Sequence, residues 1–214
     1  VATEVLGIDA QRVSVLTGPN LAGEIIRREP AASVIACSNE TNAHHLQDMC
    51  ATPYFRPYTS TDVIGCELAG SIKNVMALAV GMAIGLGMGD NTKATVITRG
   101  LAETSRLGVA MGADPSTFAG LAGMGDLVAT CSSPLSRNRS VGELLGRGST
   151  MDQARAITKT TAEGVSSAPA VLALAQKFQV DMPIVEAVVD VVQNSLPPAE
   201  VVKRLMNRTT RSEY

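Results

Sequence analysis

The sequence predicts a mainly α-helical chain: a short α/β segment over residues 1–60, followed by an all-helical domain over residues 61–214. Up to about residue 60, β-branched runs alternate with helical patterns, which is how a layered sheet is written in sequence. Beyond it, apolar residues recur at spacings of three and four, and nothing reads as a strand. The composition agrees. Aromatic residues make up 3% of the chain and Trp is absent, while small and aliphatic residues are abundant. Such side chains pack helices at close range better than they build an antiparallel sandwich. At 214 residues the chain is long enough to bury a core.

In the first segment, V-S-V-L-T at 13–17 is a short strand that stops at Gly18-Pro19, and a helix follows over 21–28. A-S-V-I-A-C at 32–37 is a second, buried strand. Thr41 is expected to cap a helix that runs to about Met49, and Tyr54–Tyr58 forms a third strand. These strands read as the last edge of a sheet whose first strands are absent, and the chain begins with Val1 rather than Met. No G-x-G-x-x-G follows a strand. G-L-G-M-G at 85–89 instead ends an apolar helix and reads as a helix stop.

In the second segment, Leu68, Ile72, Val75, Ala79, Met82 and Leu86 form one helical stripe, and Ala94, Ile97, Leu101, Thr104, Gly108 and Met111 form the next. Asp90 and Asn91 are placed to cap the start of that second helix and Gly112 to close its end. Asp114-Pro115 opens another helix, a cap followed by proline at the first position. Shorter helices are expected near 137–146, 151–159, 166–178, 184–194 and 198–206.

Bulk charge and composition exclude several roles. A net charge of −2 gives no basic field to attract nucleic acid or an acidic membrane. Cys37, Cys50, Cys66 and Cys131 form no C-x-x-C pair and have no His at ligand spacing, so no metal site is expected. Unpatterned cysteines suggest reduced thiols and a cytoplasmic location. His44 and His45 are adjacent on a helix and point about 100° apart, which suits a solvated face rather than one metal.

Three clusters carry candidate chemistry. Between Glu67 and Asp90 lie 22 residues with a single charge, Lys73. A lysine there either extends its tip to solvent or handles protons, because burial disfavours an ammonium. The stretch is long enough to span a membrane, but it holds five glycines, Lys73 and Asn74 and lacks basic flanks. Asn74 offers an amide to orient a ligand. The second cluster is G-M-G-D-L-V-A-T-C-S-S-P-L-S-R-N-R at 123–139. Gly123 and Gly125 allow a tight turn before Asp126, which is placed to cap the helix carrying Thr130. Ser136, Arg137, Asn138 and Arg139 open the next helix with hydroxyl, amide and guanidinium donors. That set suits a phosphate, the plainer alternative being a solvated charge cluster. The third cluster is Gly18-Pro19-Asn20-Leu21-Ala22, a turn from strand end to helix, where sheets of this class place ligands.

Taken together, T-G-P-N-L-A-G-E at 17–24, E-L-A-G-S-I-K-N-V at 67–75, G-D-N-T-K-A at 89–94, I-T-R-G-L-A-E at 97–103, G-L-A-G-M-G-D-L at 120–127 and S-R-N-R at 136–139, with E-G-V and M-P-I farther on, resemble the bacterial NAD(P)-dependent glycerol-3-phosphate dehydrogenases. The resemblance runs through essentially the whole chain in order. It implies a Rossmann-type nucleotide-binding domain, of which residues 1–60 are the C-terminal remnant, followed by a helical substrate-binding domain. It implies reversible hydride transfer between NAD(P)H and dihydroxyacetone phosphate, giving glycerol 3-phosphate for phospholipid synthesis. Lys73 matches the family's catalytic lysine. Asn74 and Thr130 match positions beside the substrate, and Asp126 hydrogen-bonds around the lysine. Arg137 and Asn138 match the phosphate-binding pair, with Ser136 in the same site and Arg137 also reaching the cofactor. Gly18 and Asn20 match substrate-side positions, and Ala22 a cofactor contact. Glu163 matches a glutamate near the nicotinamide nucleotide, with Thr161 two residues before it.

The chemistry suits those types. Negative charge building on a ketone oxygen is met by an ammonium that then protonates it. A remote phosphate supplies binding energy that fixes the carbonyl, and an always-charged guanidinium suits that phosphate. Asn20 stands where the family commonly has Ser or Thr. The glycine-rich cofactor loop and a second active-site lysine, both upstream in the family, do not occur in this chain. The chain by itself is therefore expected neither to bind nicotinamide nucleotide tightly nor to turn over. A Rossmann-plus-helical dehydrogenase acting on a hydroxy or oxo acid is the rival enzyme reading, with a carboxylate at Arg137. A helical dimerisation module, and so a homodimer, is the non-catalytic one.

Overall fold

The computed structural model describes residues 2–159, 161–209 and 212. In chain order the elements are α1 (Ala2–Leu6), β1 (Val15–Thr17), α2 (Ala22–Ile26), β2 (Ala31–Ala36), α3 (Glu40–Cys50), β3 (Phe55–Ser60), α4 (Val63–Gly85), α5 (Asp90–Ala110), α6 (Pro115–Ala119), α7 (Asp126–Ser132), α8 (Arg137–Gly146), α9 (Met151–Thr158), α10 (Glu163–Lys177), α11 (Pro183–Asn194) and α12 (Pro198–Met206). The chain is mainly helical with one small sheet, and among the described residues no strand follows Ser60. Its contacts divide it into two compact units, Val1–Lys73 with Thr104–Ser132, and Asn74–Glu103 with Ser133–Tyr214.

The first unit holds the three-stranded sheet, ordered β1-β2-β3. β2 and β3 run parallel from Ala31↔Phe55 to Ala36↔Ser60, and β1 lies antiparallel on the other side of β2. An antiparallel edge on a parallel pair is a common way to close a mixed sheet. β3 extends to Ser60, past the expected Tyr58, because the pairing with β2 continues to Ala36. The core gathers Val34, Ala36, Cys66 and Ala122, with Val15, Val63 and Leu121 packed against them. Asn39, not Thr41, caps α3: its side-chain oxygen accepts from the Asn42 amide at 3.0 Å. Both residues are cap formers, Asn is the stronger of the two, and the bond it accepts is 3.0 Å long. Asp114 caps α6 as expected, accepting from the Ser116 amide at 2.8 Å. Gly112, at φ +92°, closes α5.

Residues 121–125 form a single π-helical turn ahead of α7. The glycine at 123 is needed there for closeness rather than for a special backbone angle. A Cβ on it would lie 2.2 Å from the Phe118 carbonyl oxygen.

The second unit is built on an equally close contact between two helices. Gly81 and Gly85 of α4 and Gly142 and Gly146 of α8 each face the other helix's backbone. A Cβ on any of them would come within 2.1–2.3 Å of a main-chain oxygen. This explains two of the five glycines of the apolar stretch, Gly81 and Gly85. Among the described residues, α4 is the one helix long and apolar enough to cross a membrane, with a mean hydropathy of 1.5 over its most apolar window. Its Val75, Met76, Ala77 and Leu78 are fully buried in the protein. The G-L-G-M-G segment ends it: Gly87 takes φ +79°, the Met88 amide donates to the Ala83 carbonyl and the Gly87 amide to that of Ile84.

Two helix starts in this unit depend on distant side chains. Glu103 of α5, only 2% exposed, accepts from the Ile184 and Val185 amides at 2.9 and 3.4 Å, capping α11 from outside. α10 begins at Glu163 rather than at 166, because the Asn138 side-chain oxygen accepts from the Gly164 amide at 2.9 Å.

Candidate functional site

In the first unit, Lys73 is the residue that ends the unit's share of α4, and its Nζ lies 2.5 Å from Asp126 Oδ2. The Asp126 side chain is 3% exposed and that of Lys73 19%. Asp126 is the first residue of α7 and is already in helical conformation, φ −69° and ψ −38°, rather than standing ahead of the helix as a cap. Besides the ammonium, Oδ2 accepts from the Gly18 amide at 3.3 Å and from the Thr17 hydroxyl at 3.5 Å. Oδ1 accepts from the Thr130 hydroxyl at 3.1 Å. The expected helix cap is therefore a hub that ties the end of β1, α4 and α7 together. A buried carboxylate costs several kcal/mol to desolvate, so each of these donors matters to its burial.

Gly18 is required by geometry. It takes φ +132°, and a Cβ there would lie 3.0 Å from the Ser33 Cα. Thr17 was not among the residues the sequence singled out. It shares a strand face with Val15, whose side chain packs on the core, and that alternation is the signal that places it inward. Cys131, next to Thr130, is fully buried, and burial together with the nearby Asp126 charge pushes its thiol up to about 12.

In the second unit, four predicted residues meet in one chain of hydrogen bonds. The Asn138 amide is 4% exposed. Its oxygen accepts from the Gly164 amide, and its nitrogen donates to Asn74 Oδ1 at 3.0 Å. Asn74 Nδ2 then donates to Glu163 Oε2 at 3.4 Å, and Arg137 donates to Glu163 Oε1 at 2.8 Å. Gly164 is a second residue that sequence reading passed over. A Cβ on it would sit 2.5 Å from the Asn74 carbonyl oxygen, so only glycine lets α10 start against α4 at this point. Ser136 is buried and caps α8, its hydroxyl accepting from the Arg139 amide at 3.3 Å.

The remaining candidates sit apart from these bonds. Asn20 is half-buried in the turn after β1, Ala22 is exposed at the start of α2, and Thr161 is exposed ahead of α10. Among the described residues no group of three or more His, Cys, Asp or Glu side chains could hold a metal ion. His44 and His45 lie on the exposed face of α3.

Comparison with known proteins covers the same ground. Residues 62–203 match the family described as NAD-dependent glycerol-3-phosphate dehydrogenase C-terminus, and residues 1–43 the one described as its N-terminus. A glycerol-3-phosphate dehydrogenase [NAD(P)+] of Streptomyces avermitilis is 60% identical over 213 residues, which is 100% of this chain and 63% of that protein. One from Thermobifida fusca is also 60% identical, with 100% of this chain and 63% of the relative covered. The chain thus spans less than two thirds of the length of these relatives. Among solved structures, the glycerol-3-phosphate dehydrogenase of Coxiella burnetii superposes with a TM-score of 0.88 at 39% identity, covering 91% of this chain and 60% of the other. A yeast (Saccharomyces cerevisiae) counterpart gives 0.81 at 28% identity, covering 94% and 60%.

Proposed function

Because the chain belongs to the NAD-dependent glycerol-3-phosphate dehydrogenase family, we propose that the protein reversibly reduces dihydroxyacetone phosphate to glycerol 3-phosphate, with Lys73 moving the proton and Arg137 holding the phosphate. The observation that carries this reading is the Lys73 ammonium pinned at 2.5 Å by a buried carboxylate. Asp126 fixes the ammonium's position, and Thr17, Gly18 and Thr130 fix Asp126. In the reducing direction the Nζ proton passes to the ketone oxygen as charge builds there, leaving a neutral amine beside Asp126. In the oxidising direction that amine takes the hydroxyl proton back. Asn74 presents its amide N–H to the substrate, and Asn138, the second residue of the phosphate-binding pair in this reading, also sets the orientation of that amide.

A nicotinamide nucleotide, when bound, would supply or accept the hydride at the substrate carbon. Ala22, Arg137, Thr161 and Glu163 are the residues of this chain that face it in this reading. All four are exposed, and by type Arg137 suits phosphate oxygens while the Thr161 hydroxyl and the Glu163 carboxylate suit ribose hydroxyls.

The division into a nucleotide-binding remnant at 1–60 and a substrate domain at 61–214 is supported by the separate family matches at 1–43 and 62–203. The same reading makes the protein cytoplasmic, a supplier of glycerol phosphate for phospholipid synthesis, and not inserted in a membrane, since the polar Lys73 and Asn74 and the glycine contacts suit α4 to a protein core. It also allows a homodimer, which sedimentation would detect. The full-length enzyme tests the activity. NADH oxidation with dihydroxyacetone phosphate is expected, and faster turnover of a 2-oxo acid would replace this reading with the rival one.

A further inference from the structure

We propose that Glu163 is a built-in competing anion: its carboxylate takes the Arg137 guanidinium that the substrate's phosphate uses, and so sets the affinity of the site for phosphate. This rests on the reading above that Arg137 and Asn74 face the substrate.

The orientation of every group in the chain of bonds follows from one fact. The Gly164 backbone N–H can only donate, so the Asn138 side-chain oxygen must face it. The Asn138 nitrogen therefore faces Asn74 Oδ1 at 3.0 Å, and the Asn74 nitrogen is the end left to point at Glu163. Glu163 thus accepts from an amide N–H and from a guanidinium, at 3.4 and 2.8 Å. Those are the two donor types that bind a phosphate oxygen, and here a carboxylate of the protein has taken them.

The pair is built for exchange. Arg137 and Glu163 are 53% and 52% exposed, and an ion pair that open to water adds little to the stability of the fold. Glu163 also stands in the first turn of α10, where the helix favours a negative charge whether or not Arg137 is bound. Releasing Arg137 therefore costs little. A phosphate dianion brings more charge and three acceptor oxygens to the guanidinium, so it displaces the carboxylate.

Titration of the purified 214-residue chain with inorganic phosphate, and separately with glycerol 3-phosphate, tests this in wild type, Glu163→Gln, Glu163→Asp and Arg137→Ala. Calorimetry or amide chemical shifts read the affinity, and far-ultraviolet circular dichroism reads the fold. Glu163→Gln is expected to bind phosphate about 2- to 5-fold more tightly than wild type, the range set by an exposed ion pair. Glu163→Asp, which keeps the charge on a shorter arm, is expected to fall between the two. The gain is expected to shrink with added sodium chloride. Unchanged or weaker binding by Glu163→Gln, or none at all, overturns the proposal. If Arg137→Ala weakens binding while Glu163→Gln leaves it unchanged, the competitor fails and the phosphate reading stands. If Arg137→Ala binds as wild type does, the phosphate reading fails as well.

Discussion

The two ion pairs of the chain's candidate sites are opposites in construction. Lys73–Asp126 is enclosed, with a carboxylate that accepts four hydrogen bonds from three elements. Arg137–Glu163 stands half in water, and only its amide neighbours Asn74 and Asn138 are held by the fold. A proton carrier has to keep one geometry, and burial with several partners enforces that. An anion-binding arginine has to let go of one partner and take another, and exposure keeps that exchange easy. The difference teaches that the same salt-bridge chemistry serves rigidity or exchange according to its burial.

Four outcomes break or sharpen the contrast, beginning with the largest. Lys73→Ala in the full-length enzyme is expected to lower turnover by about 10²- to 10⁴-fold, the usual worth of a positioned proton donor, as measured by steady-state NADH oxidation. Near-normal turnover would leave the helical dimerisation reading standing. Asp126→Asn in the chain itself leaves a largely enclosed ammonium without its counter-charge and is expected to cost about 3 kcal/mol, read by chemical denaturation. Glu103 separates burial from membership of a site. Glu103→Gln removes the charge that caps α11 and is expected to cost about 2 kcal/mol by the same measurement. Arg137→Ala should change stability by less than about 0.5 kcal/mol, and a larger loss would mean that the exposed pair is structural after all.

Thiol chemistry reports on the enclosed pair independently. Burial and the Asp62 charge push Cys66 up to about 11, and burial and Asp126 push Cys131 up to about 12. The reactive form is the thiolate. A thiol reagent at pH 8 should therefore reach the half-buried Cys50 well before either of them. Labelling of Cys131 as fast as Cys50 would show that water reaches the Asp126 hub. The same two thiols bear on alkaline stability. The unfolded chain sheds these protons near 9 and the folded chain only near 11 to 12, so their contribution is complete below about pH 9 and is lost progressively above it.

What the sequence made legible was mostly local. Gly87 and Gly112 as helix ends, Asp114-Pro115 as a helix start and the two long helices α4 and α5 all follow from short-range pattern, and all are present. What it hid was long-range. Glu103 capping α11 across 81 positions, Asn138 capping α10, and Thr17 joining Asp126 across 109 positions leave no periodic trace. The glycines mislead for a related reason. Gly123 reads as part of a tight turn and Gly85 as part of a helix stop, whereas each is small because a neighbouring backbone lies against it. Lys73, Asn74, Asp126, Arg137 and Asn138 were visible as residue types out of place, and their partners were not.

The bare crossing of α4 and α8 has one more consequence. With main chain against main chain there is no soft side chain to take up error, so a single added methyl acts as a shim between two rods. At Gly142 it would pry apart helices that carry Asn74 on one side and Asn138 on the other. The alignment of those amides is therefore tuned by atoms that are missing, and it can be detuned without altering any polar group.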